Sequence, residues 1–221
     1  NDIYGTDVTF GFQTAVEVAT EAIDRIRTTA ASHGRTMLIE IMGNKAGWLT
    51  LHAGIAAGAD MILIPEIPFS VDRVCDFVAA QRGAGKAYTI IAVAEGAVLA
   101  SEVKFKKSER VFVRTERGES TVTQHLAEVL QERTGYETRS SVLGYLQRGG
   151  TPCAFDRLLS SRLGGYAAQL AASGKFGVTA AVAGNRITFN ALTEIAGKYK
   201  LVAPDGDIVR FAKSIGIGFG V

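Results

Sequence analysis

Residues 36–42 read Thr36-Met37-Leu38-Ile39-Glu40-Ile41-Met42, a mostly apolar run that halts at Gly43. A short run of this kind, bounded by glycine and carrying no long stretch of polar residues, reads as a strand buried on both faces. The pattern recurs outward along the chain, at 60–65 (DMILIP), 88–94 (YTIIAVA), 139–146 and 177–184. Helical periods lie between these runs. Residues 14–28 place Val16, Val18, Ala19, Ala22, Ile23 and Ile26 on one face, and 48–57, 71–81, 121–134, 154–173 and 205–213 also read as helices. Strands alternating with helices imply βαβ crossovers, hence an α/β fold with a mostly parallel sheet covered by helices on both faces.

Composition narrows the function classes. The 221 residues carry 24 Lys+Arg against 22 Asp+Glu, a net charge of +2, so neither nucleic acid nor an anionic membrane surface is expected as a partner. No apolar run approaches the roughly 18–20 residues of a membrane span, and the best stretch is broken by Glu95. Cys75 and Cys153 form no metal-type spacing and no disulfide framework, and no secretory signal is visible, so a cytoplasmic setting is expected. A chain that opens on Asn1 rather than Met reads as a piece of a longer one. The segment 101–120 is dense in Lys, Arg and Glu without periodicity, and reads as a solvated hairpin or loop.

Several catalytic signatures are missing. The run Gly83-Ala84-Gly85-Lys86 lacks the upstream glycine and following Ser/Thr of a phosphate-cradling loop. No GxSxG elbow occurs, and His33, His52 and His125 have no metal-ligand spacing. Gly216, Gly218 and Gly220 have no helix after them and read as tail. Two polar segments remain where a parallel sheet presents its ligand edge, beyond the carboxyl ends of strands. Met42-Gly43-Asn44 combines close backbone approach with an amide, or is an ordinary strand-to-helix turn. Gly144 to Gly150 (GYLQRGG) sets a phenol, an amide and a guanidinium between glycines. Arg139 and Arg148 would lie roughly 30 Å apart on an extended strand at about 3.3 Å per residue. If both bind phosphate, the site lies between subunits; otherwise each is a surface ion pair.

Taken together, these segments resemble the 6-phosphofructokinase family, in its bacterial branch of ATP and pyrophosphate users. The resemblance rests on Asn1-Asp2-Ile3 with Gly5-Thr6-Asp7 and Thr9 to Phe12, on Glu21 to Arg25 followed by Ser32-His33-x-Arg35, and on Met42-Gly43 with Ala46-Gly47-Trp48. It continues through Leu63 to Glu66 and ends on Gly144 to Gly150 with Pro152 and Asp156-Arg157. It implies a phosphofructokinase-like α/β fold with an incomplete donor domain. The family's donor-binding region, with its general-base Asp and main Mg²⁺ ligand, would precede residue 1. Residues 1–12 would connect to it, 13–149 would form the sugar-phosphate domain, and 150–221 would return to the donor domain.

The implied activity is phosphoryl transfer from ATP or pyrophosphate, with Mg²⁺, to fructose 6-phosphate in glycolysis. Met42, Gly43 and Glu95 would line the sugar. Tyr145, Leu146, Gln147 and Arg148 would form one wall of the 6-phosphate site, and Arg35 and Arg139 would come from a neighbouring subunit, making a dimer or tetramer. Asp2 would sit beside the absent base. Two departures stand out: the family's Arg after Met-Gly is Asn44, which removes a cation from the transferring phosphate, and its His is Tyr145. Arg27 and Lys86 match effector contacts, whereas Asp60, Ala84 and Tyr88 depart from them, which weakens the expectation of allosteric control. The alternative expectation is a catalytically inactive fragment that binds sugar phosphate or assembles with an active partner.

Overall fold

The structure, a computed structural model, describes residues 2–110 and 121–221. Asn1 and residues 111–120, the second half of the segment read as a solvated hairpin or loop, lie outside the described residues. The first elements are α1 (Phe12–His33), β1 (Thr36–Ile41), α2 (Trp48–Ala56), β2 (Met61–Leu63), α3 (Val71–Gly83), β3 (Thr89–Ala94), α4 (Val122–Thr134) and β4 (Thr138–Val142). They are followed by α5 (Ala154–Ala172), β5 (Val178–Ala183), β6 (Arg186–Ala191), the single turn α6 (Leu192–Ile195) and α7 (Asp207–Ser214).

Four strands form one parallel sheet in the order β2-β3-β1-β4. Every residue of β1 and β3 is buried, because each strand has a neighbour on both sides and a core on both faces. Met37, Ile39 and Ile41 join Ile62, Ile90 and Ala92 in a core that also takes residues of α1, α2 and α7. The alternate residues Leu38, Met61, Leu63, Ile91 and Val93 pack with residues of α3 and α4. Helices therefore cover both faces, and each fully buried Leu or Ile contributes about 1.5–3 kcal/mol relative to exposure. Helix α1 outruns the expected 14–28 because nothing interrupts it until Gly34, whose φ of 64° closes it with a bond from its N–H to Ala30.

Three expectations need correction. The strand read as 139–146 ends at Val142: Leu143 is helical, Gly144 takes φ 51°, and residues Gly144–Arg148 coil into a 3₁₀ turn. Arg139 and Arg148 are therefore not on one extended strand, and the roughly 30 Å span does not apply. The run 177–184 does not join the parallel sheet. It pairs antiparallel with β6 across Gly184-Asn185, where Gly184 supplies the positive φ that a two-residue hairpin loop needs. Nor are the final glycines a free tail. Gly218 bonds both Asp60 and Ile62 along β2, the Ser70 N–H donates to Gly220, and Phe219 is buried between them. A Cβ on Gly220 would meet Phe69 at 2.8 Å, so the chain end is fitted against the sheet.

Candidate functional site

The carboxyl edge of the sheet is assembled from three turns. After β1 the chain passes through Met42-Gly43-Asn44, and after β3 the Glu95 and Gly96 N–H groups donate to Ile41 and Gly43 at 2.9 and 3.1 Å. This approach admits no side chain: a Cβ on Gly96 would stand 2.1 Å from the Asn44 carbonyl oxygen, and one on Gly43 would stand 2.9 Å from that of Ala46. On the other side, Leu143 donates to the Glu40 carbonyl and starts the 144–148 turn. Gln147, only 4% exposed, accepts from the Met42 N–H at 3.1 Å and donates to the Gly144 carbonyl at 3.1 Å, tying β1 to the turn. The exposed Arg148 rests its Nε 3.4 Å from the Met42 sulfur. Beside this edge opens a cavity of about 570 Å³ lined by Phe10, Gly11, Phe12, Thr14, Ala15, Met42, Leu49, residues 147–150 and Pro152.

Asp156 lies behind that cavity and holds Thr14, one of its lining residues. Its carboxylate, 2% exposed in the first turn of α5, accepts from Thr14 N at 2.8 Å and Thr14 Oγ1 at 2.6 Å, and Thr14 Oγ1 in turn accepts from Cys153 N at 3.0 Å. The first turns of α1 and α5 are thus pinned together by one anion, which also suits the positive ends of two helices. Burial alone would push the Asp156 carboxyl up, but the hydrogen bonds from Thr14, together with those from Gly11 and Cys153, hold it below the usual carboxylate value.

The turn leading from β1 into α2 is held separately. Glu66 accepts from Gly47 N at 3.0 and 3.1 Å and from Val202 N at 2.9 Å, and the Trp48 indole donates to Lys200 O at 2.9 Å. Lys45 turns away from the edge to donate to the Tyr199 hydroxyl, with its ammonium 3.9 Å above that ring. Asn44 Oδ1 accepts instead from Lys107 Nζ at 2.6 Å.

Arg35 and Arg139 occupy the opposite end of the same strands. Arg35 immediately precedes β1, Arg139 is the second residue of β4, and both ion-pair with the same Glu137 oxygen at 2.9 Å. A hydrogen bond from Arg35 is the main cause that holds the Glu137 carboxyl below its usual range. Arg139 also donates to Gln131 and borders a second cavity, of about 380 Å³, formed by α4 and the start of β4.

The expected site residues therefore separate into groups. Met42, Gly43, Asn44, Glu95, Gln147 and Arg148 share the carboxyl edge. Tyr145 and Leu146 are 84% and 72% exposed and do not line the larger cavity. Arg35 and Arg139 cluster at the amino edge. Asp2 lies on the segment that bridges Ile3 to Tyr199, where its carbonyl accepts from Lys200 N. Arg27 and Lys86 are engaged within the chain, Arg27 on the Ala57 and Gly58 carbonyls and Lys86 on Asp60. Among the described residues no three His, Cys, Asp or Glu side chains converge to hold a metal. Among these residues the Mg²⁺ that the resemblance implies therefore finds no such ligand set. Three residues carry no legible role in the sequence: Asp156, whose partner lies 142 residues away, Glu66, whose partners lie 19 and 136 residues away, and Lys107.

Fold and edge together define a class: a parallel α/β protein covered on both faces, with an exposed guanidinium on a glycine-lined carboxyl edge. A family profile described as Phosphofructokinase matches residues 1–171, and the chain belongs to that family. It is 48% identical over 220 residues to the ATP-dependent 6-phosphofructokinase of Spirochaeta thermophila, covering 100% of this chain and 60% of that protein. It is 49% identical over 208 residues to the pyrophosphate–fructose 6-phosphate 1-phosphotransferase of Amycolatopsis methanolica, covering 93% of this chain and 60% of that protein. The solved phosphofructokinase of Saccharomyces cerevisiae superposes with a TM-score of 0.75 at 36% identity, over 88% of this chain and 24% of that one. The chain thus spans 60% of the length of these curated relatives.

Proposed function

We propose that the protein containing this chain transfers a phosphoryl group from ATP or pyrophosphate to the 1-hydroxyl of fructose 6-phosphate, yielding fructose 1,6-bisphosphate as a glycolytic step. The observation that carries the reading is Arg148 at the cavity on the carboxyl edge, in a chain of this family. Its planar fork suits two phosphate oxygens, and the turn locked by Gln147 holds it in place. Met42, Gly43 and the exposed Glu95 meet the sugar, with Glu95 accepting from its hydroxyls. Positioning of the acceptor and stabilisation of charge on the moving phosphoryl supply most of the rate in such transfers. Among the described residues no carboxylate lines the cavity, so the hydroxyl proton goes to an Asp outside these residues, with Asp2 beside it. Mg²⁺ belongs to that same outside region. Residues 1–12 act as the connection, 13–149 as the sugar-phosphate domain and 150–221 as the return.

The second 6-phosphate wall comes from another copy of the chain. Arg35 and Arg139 sit at the amino edge, away from Arg148, and Glu137 keeps their forks together. The test is complementation. Arg148→Ala and Arg139→Ala variants, each inactive alone, should regain about a quarter of wild-type turnover after mixed refolding at equal amounts, since half the dimers are mixed and each restores one of two sites. Failure to regain any turnover would count against the shared site.

A second reading, a sugar-phosphate-binding protein without turnover, is favoured by one observation, the neutral Asn44 at the turn. Turnover of fructose 6-phosphate by the protein expressed from its complete reading frame separates the two readings.

A further inference from the structure

We propose that Lys107, reaching across from the segment after β3, supplies the cation that contacts the transferred phosphoryl group at the Asn44 turn. This rests on the functional reading above and deepens it. Ligands of parallel α/β sheets bind beyond the carboxyl ends of the strands, where the Met42-Gly43-Asn44 turn lies. Arg148 guards one flank of that turn through Met42. On the other flank Asn44 is exposed and uncharged, and its neighbour Lys45 is committed to Tyr199. Lys107 fills that flank: its ammonium donates to Asn44 Oδ1 at 2.6 Å, from a residue 63 positions along the chain.

The chemistry of the pair suits an anion. An ammonium has three N–H donors, and Asn44 takes one. The other two, with the Asn44 amide N–H groups, can serve an anion at this edge. Asn44 acts as the positioning residue, since its carbonyl holds a flexible four-carbon side chain where a guanidinium at position 44 would reach unaided. A ligand with phosphoryl groups at both ends would meet Arg148 at one end and Lys107 at the other. Fructose 6-phosphate itself engages only the Arg148 end, so Lys107 meets the phosphoryl group on the donor before transfer and on fructose 1,6-bisphosphate after it.

The test uses the protein expressed from its complete reading frame. Lys107→Ala should lower kcat and kcat/KM together by about 10²-fold, the usual loss on removing one group that stabilises transition-state charge. The KM for fructose 6-phosphate should stay within about twofold of wild type, since Lys107 meets the phosphoryl group and not the acceptor sugar. Lys107→Arg should keep most activity, and Asn44→Arg placed in the Lys107→Ala background should restore it. Calorimetry adds a readout without turnover: Lys107→Ala should weaken fructose 1,6-bisphosphate binding and leave fructose 6-phosphate binding unchanged. Unaltered kcat and bisphosphate affinity in Lys107→Ala, or equal losses in Lys107→Ala and Lys107→Arg, would overturn the assignment. Arg148→Ala is the control for the functional reading. If it abolishes fructose 6-phosphate binding while Lys107→Ala changes nothing, the reading stands and the Lys107 assignment falls. If it leaves that binding intact, the reading itself falls.

Discussion

Replacing Asp156 by Ala removes the anion that joins α1 to α5. Two short bonds are lost, at 2.8 Å from Thr14 N and 2.6 Å from Thr14 Oγ1, with a longer, weaker one at 3.7 Å from Cys153 Sγ. A hydrogen bond to a charged group contributes about 1.5–3 kcal/mol, so the pair bounds the loss at about 3–6 kcal/mol. Thr14 is only partly buried, and water can reach it once the carboxylate is gone, which places the expected loss near the lower bound, about 3 kcal/mol. For a chain of 221 residues that corresponds to a fall in melting temperature of roughly 6–12 °C. Asp156→Asn keeps an acceptor oxygen for both bonds and loses only the charge, so it should cost about half as much. Urea unfolding of wild type, Asp156→Ala, Thr14→Ala and the double variant measures the coupling. A coupling energy of about 1.5 kcal/mol or more is expected for residues that share a bond network. Additive losses, or an Asp156→Ala variant within about 0.5 kcal/mol of wild type, would refute the reasoning, since that is the range of a surface substitution with no such role.

Gly96→Ala should disrupt the carboxyl edge. Its Cβ would lie 2.1 Å from a backbone oxygen that cannot rotate away, so a stability loss of about 3 kcal/mol by chemical denaturation and a weakened fructose 6-phosphate affinity by calorimetry are expected together. His52, packed against Phe12 and Trp48, is held below its ordinary pKa by burial and by the charge of Lys200. The unfolded chain therefore binds the proton more readily, and the His52 contribution, present above its ordinary value of 6.5, should be lost as pH falls through the folded pKa. A His52→Gln variant should flatten the pH dependence of the unfolding free energy in that window, and an unchanged slope would contradict the assignment. Glu137→Gln releases the two arginines that share its oxygen, so inorganic phosphate should protect this variant from thermal unfolding more than it protects wild type, an effect that added salt should erase.

Much of the architecture is legible because burial on both faces leaves a simple trace. β1 and β3 are flanked by strands and cores on every side, so their residues form apolar runs bounded by glycine. β6 leaves no such trace. Its sequence, Arg186 to Ala191, is only half-buried in a two-stranded hairpin, and polar residues are tolerated along it. The end of β4 is misread for a local reason: Leu143 and Gly144 look like a continuing strand, yet the glycine takes a left-handed φ and starts a turn. Arg148, Met42 and Gly43 stand out in sequence because glycines lie beside polar residues just past the ends of apolar runs. Gln147 stands out for a similar reason, although its amide turns inward to fasten β1 to the turn. Asp156 and Lys107 act through partners more than 60 residues away, and neither periodicity nor spacing encodes such contacts. Lys107 is further disguised by a charged segment whose composition matches any solvated loop.

The most direct test of the account is turnover by the protein expressed from its complete reading frame, supplied with fructose 6-phosphate and either ATP or pyrophosphate in parallel, with Arg148→Ala beside the wild type. Fructose 1,6-bisphosphate should form with at least one donor, and its formation should be lost in Arg148→Ala. An absence of product with both donors, or an Arg148→Ala variant that turns over as fast as wild type, would contradict it.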